Sequence, residues 1–269
     1  MRWYHKTNEA WMKARRLCLT ATEVKALLPI TKTGRTRKVT NEDMLAIYAK
    51  KLSMFDPDDC VSTGPAARGH VLEPYAIGFF NTESKLPVNL YHWDDAIIAK
   101  DSNSNRGLGF SPDAMSIPQP EDGKVYYDVS ELDTIEYIGE VKCYSPDRHM
   151  ICGMANPLEL EERWQIAVAM AVAPSIKTAY LIFYNPSMRY QMFIHTYTRE
   201  DLKEEIAVVE QVEKDWFEFI ENDFNLGNIN AQIIAGSYSA EKDIVKTIMK
   251  KEEFDPIKSV MMHEENSSN

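Results

Sequence analysis

No apolar stretch in the chain approaches the roughly 18–20 residues that a bilayer-spanning helix requires, so no membrane partner is expected. The opening run "MRWYHKTNEAWMKARR" lacks the apolar middle of a signal peptide, and a cytoplasmic location is expected. Only four cysteines occur in 269 residues (Cys18, Cys60, Cys143 and Cys152), and they lack paired spacing. That scatter argues against a zinc ribbon and a disulfide frame, and for reduced thiols. No internal repeat is visible. Basic residues are outnumbered, 30 Lys and Arg against 41 Asp and Glu, and the net charge of −11 argues at first against a polyanionic ligand.

What charge there is lies unevenly. Residues 13–38 carry Lys13, Arg15, Arg16, Lys25, Lys32, Arg35, Arg37 and Lys38 against Glu23 alone, a local balance of +7. Residues 199–223 carry ten acids against Arg199, Lys203 and Lys214. This asymmetry fits a protein that meets phosphate on one surface, and it equally fits ordinary solvated faces. The apolar fraction of 44% and charged fraction of 26% are those of a globular chain, long enough for one large domain. Residues 1–222 are expected to form that domain, and 223–269 a polar extension with one amphipathic helix (239–251) and a disordered end.

Residues 8–28 read as helix-rich, with Thr20 or Thr22 as N-cap ahead of Val24, Leu27 and Leu28. "PITKTGRTRKVT" reads as a basic loop, 41–53 as a helix, and 66–82 as a helix that Pro74 should kink or restart. Residues 90–99, 107–116, 135–144, 178–185 and 190–198 are rich in Ile, Val, Tyr, Phe and Thr and predict five strands. Between the third and fourth lies "LELEERWQIAVAMAVA", an apolar helix. After the fifth, Leu202, Ile206, Val209, Trp216 and Ile220 form one stripe of a helix over 200–222. This order predicts an α/β fold, a mixed central sheet of about five strands flanked by helices.

The chemistry concentrates in "YIGEVKCYSP", residues 137–146. Side chains alternate along a strand, so Glu140 and Lys142 share one face while Val141 and Cys143 point to the other. Asp113, following Pro112 in the preceding strand, supplies a second carboxylate. Two converging acids make a hard-oxygen site suited to Mg²⁺ or Mn²⁺, with the lysine orienting or deprotonating a water. The plainer reading of E-x-K alone is an exposed ion pair. Gln165 is the lone amide in "WQIAVAMAVA"; it faces either a site or a neighbouring backbone group. Glu73 either reaches the metal or is an exposed helix acid.

In this order, "AWMKARRLCLTATEVKALL", "RGHVLEPYA", "GFSPDAM", "GEVKCYSP" and "WQIAVAMAV" resemble the PD-(D/E)xK nuclease superfamily, nearest to the phage lambda-type exonucleases and the YqaJ-like viral recombinase family. The resemblance covers roughly residues 10–198. It implies a restriction-endonuclease-like core in residues 1–222, with Asp113, Glu140, the Val141 carbonyl and Glu73 around a pair of Mg²⁺ or Mn²⁺ ions. Lys142 would position or activate the attacking water, and Gln165 would hold the DNA backbone or nucleophile. Arg15, Thr22 and Ser111 match positions that grip a 5′-terminal phosphate, with Arg16 a rival to Arg15; Lys32 and Arg35 fall in a stretch that contacts DNA. Trp11 would lie beside the bound strand or in the core.

The implied activity is 5′→3′ degradation of double-stranded DNA ends, leaving 3′ tails for recombination, in the host cytoplasm if phage-encoded. The resemblance further implies a trimeric assembly and a single-strand annealing protein as partner. Two rivals stay open: an endonuclease of the same superfamily, and a catalytically silent DNA-binding or assembly protein. The scattered cysteines disfavour the iron–sulfur clasp of some related nucleases. The chain departs from the family between Asp113 and Glu140, where "SIPQPEDGKVYYDVSELDTIEY" reads as an inserted hairpin with "EDG" at its turn. That segment also offers Asp128, Glu131, Asp133 and Glu136 as rival acids. A second glutamine often found after the Gln165 position is Ala167 here.

Overall fold

The computed structural model describes residues 4–5, 9–30, 36–52, 62–100 and 107–223. Along the chain run β1 (Tyr4–His5), α1 (Glu9–Arg15), β2 (Leu19–Thr20), α2 (Ala21–Ala26), α3 (Asn41–Leu52), β3 (Ser62–Thr63) and α4 (Pro65–Glu83). Then come β4 (Tyr91–His92), β5 (Ile97–Ala99), β6 (Leu108–Phe110), β7 (Ala114–Met115), β8 (Tyr126–Asp128), β9 (Tyr137–Lys142), α5 (Pro146–Met154) and α6 (Arg163–Val172). β10 (Thr178–Tyr184), β11 (Met192–Thr198) and α7 (Lys203–Glu218) close the described fold, with a π-helical turn at Phe219–Asp223. The expected helix at 239–251 and the rest of the extension lie outside the described residues.

The mixed sheet flanked by helices is as expected. Its strand order is β11-β10-β9-β7-β4, with β9 parallel to β10 and the other pairs antiparallel. A second, four-stranded sheet, β2-β6-β5-β8, was not expected. It arises because the predicted strands 90–99 and 107–116 each break in two. β4 and β7 join the larger sheet, and β5 and β6 join the smaller one. Asp95 at φ 42° turns the first break, and Pro112, which has no N–H to give a ladder, sits in the second.

The segment 117–137 is not a hairpin. β7 pairs with β9 in one sheet and β8 pairs parallel to β5 in the other, so the insertion crosses between sheets. Gly123, at φ 73°, turns the chain where "EDG" was expected to. α4 continues through Pro74 with no break in its assignment, although the proline removes the N–H that would have reached the His70 carbonyl.

α2 is started by Thr20, whose backbone N–H and hydroxyl both donate to Glu23 Oε2, at 2.7 and 2.8 Å. α6 is buried on every side after Arg163 except at Gln165. It lies between α2, α7 and β6, and each fully buried Val, Ile or Met there contributes about 1.5–3 kcal/mol. The stripe of α7 is buried as the periodicity requires, at Leu202, Ile206, Val209 and Trp216, with Ile220 just beyond. Cys18, Cys143 and Cys152 are free thiols; Cys60 lies outside the described residues.

Candidate active site

The seam between the two sheets sets the position of Asp113. It follows β6 of the smaller sheet and immediately precedes β7 of the larger. Its carbonyl accepts from the Trp93 N–H at 3.0 Å, and its carboxylate Oδ2 accepts from the Val141 N–H at 2.7 Å. That second bond brings Asp113 against the strand carrying Glu140 and Lys142. On β9 the alternation holds: Val141 packs with Ala76, Ile77 and Phe80 of α4, while Lys142 Nζ donates to Glu140 Oε1 from the same face.

The electrostatics of the trio are uneven. Burial raises the Asp113 carboxyl well above its ordinary value, and the nearby Glu140 and Glu73 raise it further; Lys142 and the Val141 N–H offset only part of this. For Lys142, burial pulls the pKa down, but Glu140 and Asp113 outweigh it, and the amine is held charged. In this arrangement Lys142 serves as a donor to Glu140. Glu73 lies on α4 at the edge of the group. Burial pushes its carboxyl up, while His70 (Nδ1 to Oε2, 3.5 Å) and His92 (Nε2 to Oε2, 3.9 Å) more than reverse this, to about 2.

Asp113, Glu140 and Glu73 bring three carboxyl groups close enough that Glu140 and Glu73 both disfavour the ionised form of Asp113. Among the described residues no three His, Cys, Asp or Glu side chains enclose an ion by themselves. Two carboxylates supplemented by a backbone carbonyl and water are, however, the donor set that Mg²⁺ takes, because it keeps several waters. The residues present therefore fit a hard divalent cation, with Asp113 and Glu140 as side-chain donors.

These groups line a cavity of about 860 Å³. Arg15, Thr22, Ser111, Glu73, Asp113, Glu140, Val141, Lys142 and Gln165 all contribute to its wall. Arg15 is built in: its guanidinium lies 4.5 Å from the Trp11 ring centre, and Nη1 donates to Ser111 Oγ at 3.4 Å. Trp11 is buried and its indole N–H is shared between the Ala96 carbonyl and Ser111 Oγ, both at 3.1 Å. The tryptophan thus packs in the core and supports the arginine. Arg16 does not line the cavity, and Lys32 and Arg35 lie outside the described residues.

None of the rival acids reaches the site. Asp128 caps the short 3₁₀ helix at Val129–Leu132 by accepting from the Ser130 N–H, Glu131 pairs with Lys124, Glu136 pairs with Lys177, and Asp133 is exposed. Sequence reasoning passed over Arg68, His70, Tyr144 and Arg148, which also line the cavity. Arg148 carried a signal: it stands in the first turn of α5, where a cation opposes the helix dipole.

No family model and no curated protein matches the sequence. Solved structures do match. The fold is the α/β restriction-endonuclease-like one. An alkaline exonuclease, LHK-Exo, from Laribacter hongkongensis superposes with a TM-score of 0.57 at 17% identity, over 84% of this chain and 98% of that one. LHK-Exo in complex with dAMP gives 0.56 at 18% identity, over the same shares.

Proposed function

We propose that the chain is a Mg²⁺-dependent deoxyribonuclease that degrades linear duplex DNA in the 5′→3′ direction and leaves 3′ single-stranded tails for homologous recombination. One observation carries this reading: Asp113, Glu140 and Lys142 share a cavity with Arg15 and Ser111, so the acids that would hold a divalent cation and a basic group suited to phosphate face the same space. The likeness of fold to LHK-Exo, described as an alkaline exonuclease, points the same way.

In this reading Asp113 and Glu140 hold the cation, with the Val141 carbonyl assisting and Glu73 at the margin. When bound, Mg²⁺ (or Mn²⁺, as one ion or a pair) lowers the pKa of a water and offsets charge at the phosphorus. Lys142, kept charged by its two acids, donates to the attacking water or to a phosphate oxygen and fixes its direction. Gln165 offers an amide to the strand or nucleophile. Arg15, with Ser111 and Thr22, takes the 5′-terminal phosphate and sets which linkage meets Lys142. Residues 1–222 form the catalytic unit and 223–269 an extension. A ring-like trimer acting in the cytoplasm, with a single-strand annealing protein as partner, completes the proposal.

The test is a digestion series in Mg²⁺ on linear duplexes with 5′-phosphate or 5′-hydroxyl ends and on covalently closed circles. Preferential loss of the phosphorylated strand, with circles untouched, supports the reading. Cutting of circles makes the protein an endonuclease, and complete inertness with DNA binding retained makes it a silent binding protein.

A further inference from the structure

One wall of the cavity is built from groups that the mechanism above does not use. Tyr144 follows β9, two residues past Lys142, and Arg148 sits on the first turn of α5. The Arg148 guanidinium lies 4.1 Å from the Tyr144 ring centre. Its Nη2 donates to Glu162 Oε1 at 3.2 Å and to the Tyr144 hydroxyl at 3.4 Å. The Tyr144 hydroxyl donates to the same Glu162 oxygen. Glu162 is only 4% exposed, at the foot of α6. The Tyr144 carbonyl in turn accepts from Nδ2 of fully buried Asn185 at 3.0 Å, so the ring's backbone is fixed as well.

This is more construction than a surface ion pair requires. An exposed Arg–carboxylate pair contributes little to stability, and Arg148, with its side chain about half exposed (54%), is such a residue at its outer end. Its inner face, by contrast, is stacked on an aromatic ring and tied to a buried acid. A guanidinium carries five N–H donors in a fixed plane. Nη2 is directed at Glu162, a further contact goes to Cys152, and Arg148 lines the cavity. Holding the plane beforehand removes the side-chain ordering that phosphate binding would otherwise require. The dipole of α5 disfavours a cation at this position, so stabilising the helix is not what the arginine is there for.

We infer that Tyr144, Arg148 and Glu162 form a phosphate grip separate from Arg15, in which Arg148 binds an internal phosphodiester of the DNA strand entering the cavity while Tyr144 and Glu162 are positioning residues. The inference rests on the nuclease reading for its substrate class, but it is tested by binding and not by cleavage.

The experiment measures the affinity of the full chain for a 5′-phosphorylated duplex in chelator, across a salt series, with single neutral methylphosphonate linkages placed in turn along the phosphorylated strand. Arg148→Ala is expected to bind about tenfold more weakly, with the slope of log affinity against log salt shallower by about 1. One methylphosphonate position should weaken the wild type and leave Arg148→Ala unaffected. Glu162→Gln supplies a second arm. It removes a negative charge beside DNA, so simple electrostatics predicts tighter binding, whereas a positioning role predicts binding about threefold weaker, shared by Tyr144→Phe, with the salt slope kept.

Wild-type affinity and slope in Arg148→Ala, or an unchanged methylphosphonate profile, overturns the inference. Should Arg148→Ala lower the unfolding temperature, Arg148→Lys decides: it keeps the charge but not the stacked fork, and wild-type affinity there also overturns the inference. Grip-dependent binding with no nucleotide release in Mg²⁺ sinks the nuclease reading alone; absence of DNA binding sinks both.

Discussion

The backbone N–H of Val141 donates to Asp113 Oδ2 at 2.7 Å, so the strand bearing Glu140 and Lys142 is held by the very carboxylate that completes their site. This bond accounts for the position of Asp113 but not for its charge, because Glu140 and Glu73 face it as well. Asp113→Asn keeps an acceptor for Val141 and removes the repulsion. It should stabilise the metal-free fold by roughly 1–3 kcal/mol at pH 8 while abolishing cleavage and the rise in melting temperature on adding Mg²⁺. The sign follows from the raised carboxyl: ionised Asp113 weighs against the fold, so the gain is absent below the ordinary value of 3.8 and opens as pH rises above it. Urea unfolding at pH 4 and pH 8 checks this.

Lys142→Met removes the ammonium that pairs with Glu140 and faces Asp113. Breaking this part-buried pair from one side should cost up to about 3 kcal/mol, below the range for a fully buried one, and nucleotide release should fall by at least about a hundredfold. In the double variant Asp113→Asn/Lys142→Met the stability loss should be smaller than the sum of the single effects, since one acid no longer needs a counter-charge. A double-mutant cycle in chelator measures that coupling.

Arg15→Ala removes the guanidinium that sits between Trp11 and Ser111. The preference for a 5′-phosphate over a 5′-hydroxyl end should fall about tenfold or more, as for loss of a charge-assisted bond. The shift of melting temperature with Mg²⁺ should stay as in wild type, because Asp113 and Glu140 are untouched. A preference equal before and after the substitution rejects the assigned pocket.

Away from the cavity, Glu213 fastens α7 to the smaller sheet. The buried carboxylate accepts from the Leu108 N–H at 3.1 Å and from Lys100 Nζ at 2.7 Å. Glu213→Ala leaves a buried N–H without an acceptor and should cost about 1–3 kcal/mol, with little from the more exposed Lys100. Glu213→Gln keeps an acceptor and should cost less than about 1 kcal/mol. Thermal unfolding of the two variants separates these outcomes.

Much of the site was legible because it is local. Glu140 and Lys142 share a face by strand alternation alone, and Gln165 declared itself as the one amide in an apolar helix. The stripe of α7 and the Thr20 cap were likewise written in nearest-neighbour spacing. What escaped was long-range. Nothing local in 90–99 or 107–116 tells which half of each joins which sheet, since that depends on β8 arriving beside β5 from 29 residues further on. Tyr144 and Glu162 are 18 residues apart and meet because α5, packed on β10 and β11, carries the chain from the end of β9 to the start of α6. At Pro74 the expected restart does not occur: α4, packed against β9 and β10, runs on from Pro65 to Glu83.

The most direct test follows mononucleotides released from a 5′-phosphorylated linear duplex as Mg²⁺ is titrated, with wild type beside Asp113→Asn and Lys142→Met. The account predicts saturable, Mg²⁺-dependent release from the phosphorylated strand by wild type alone. Release that persists in chelator, or that survives either substitution, would contradict it.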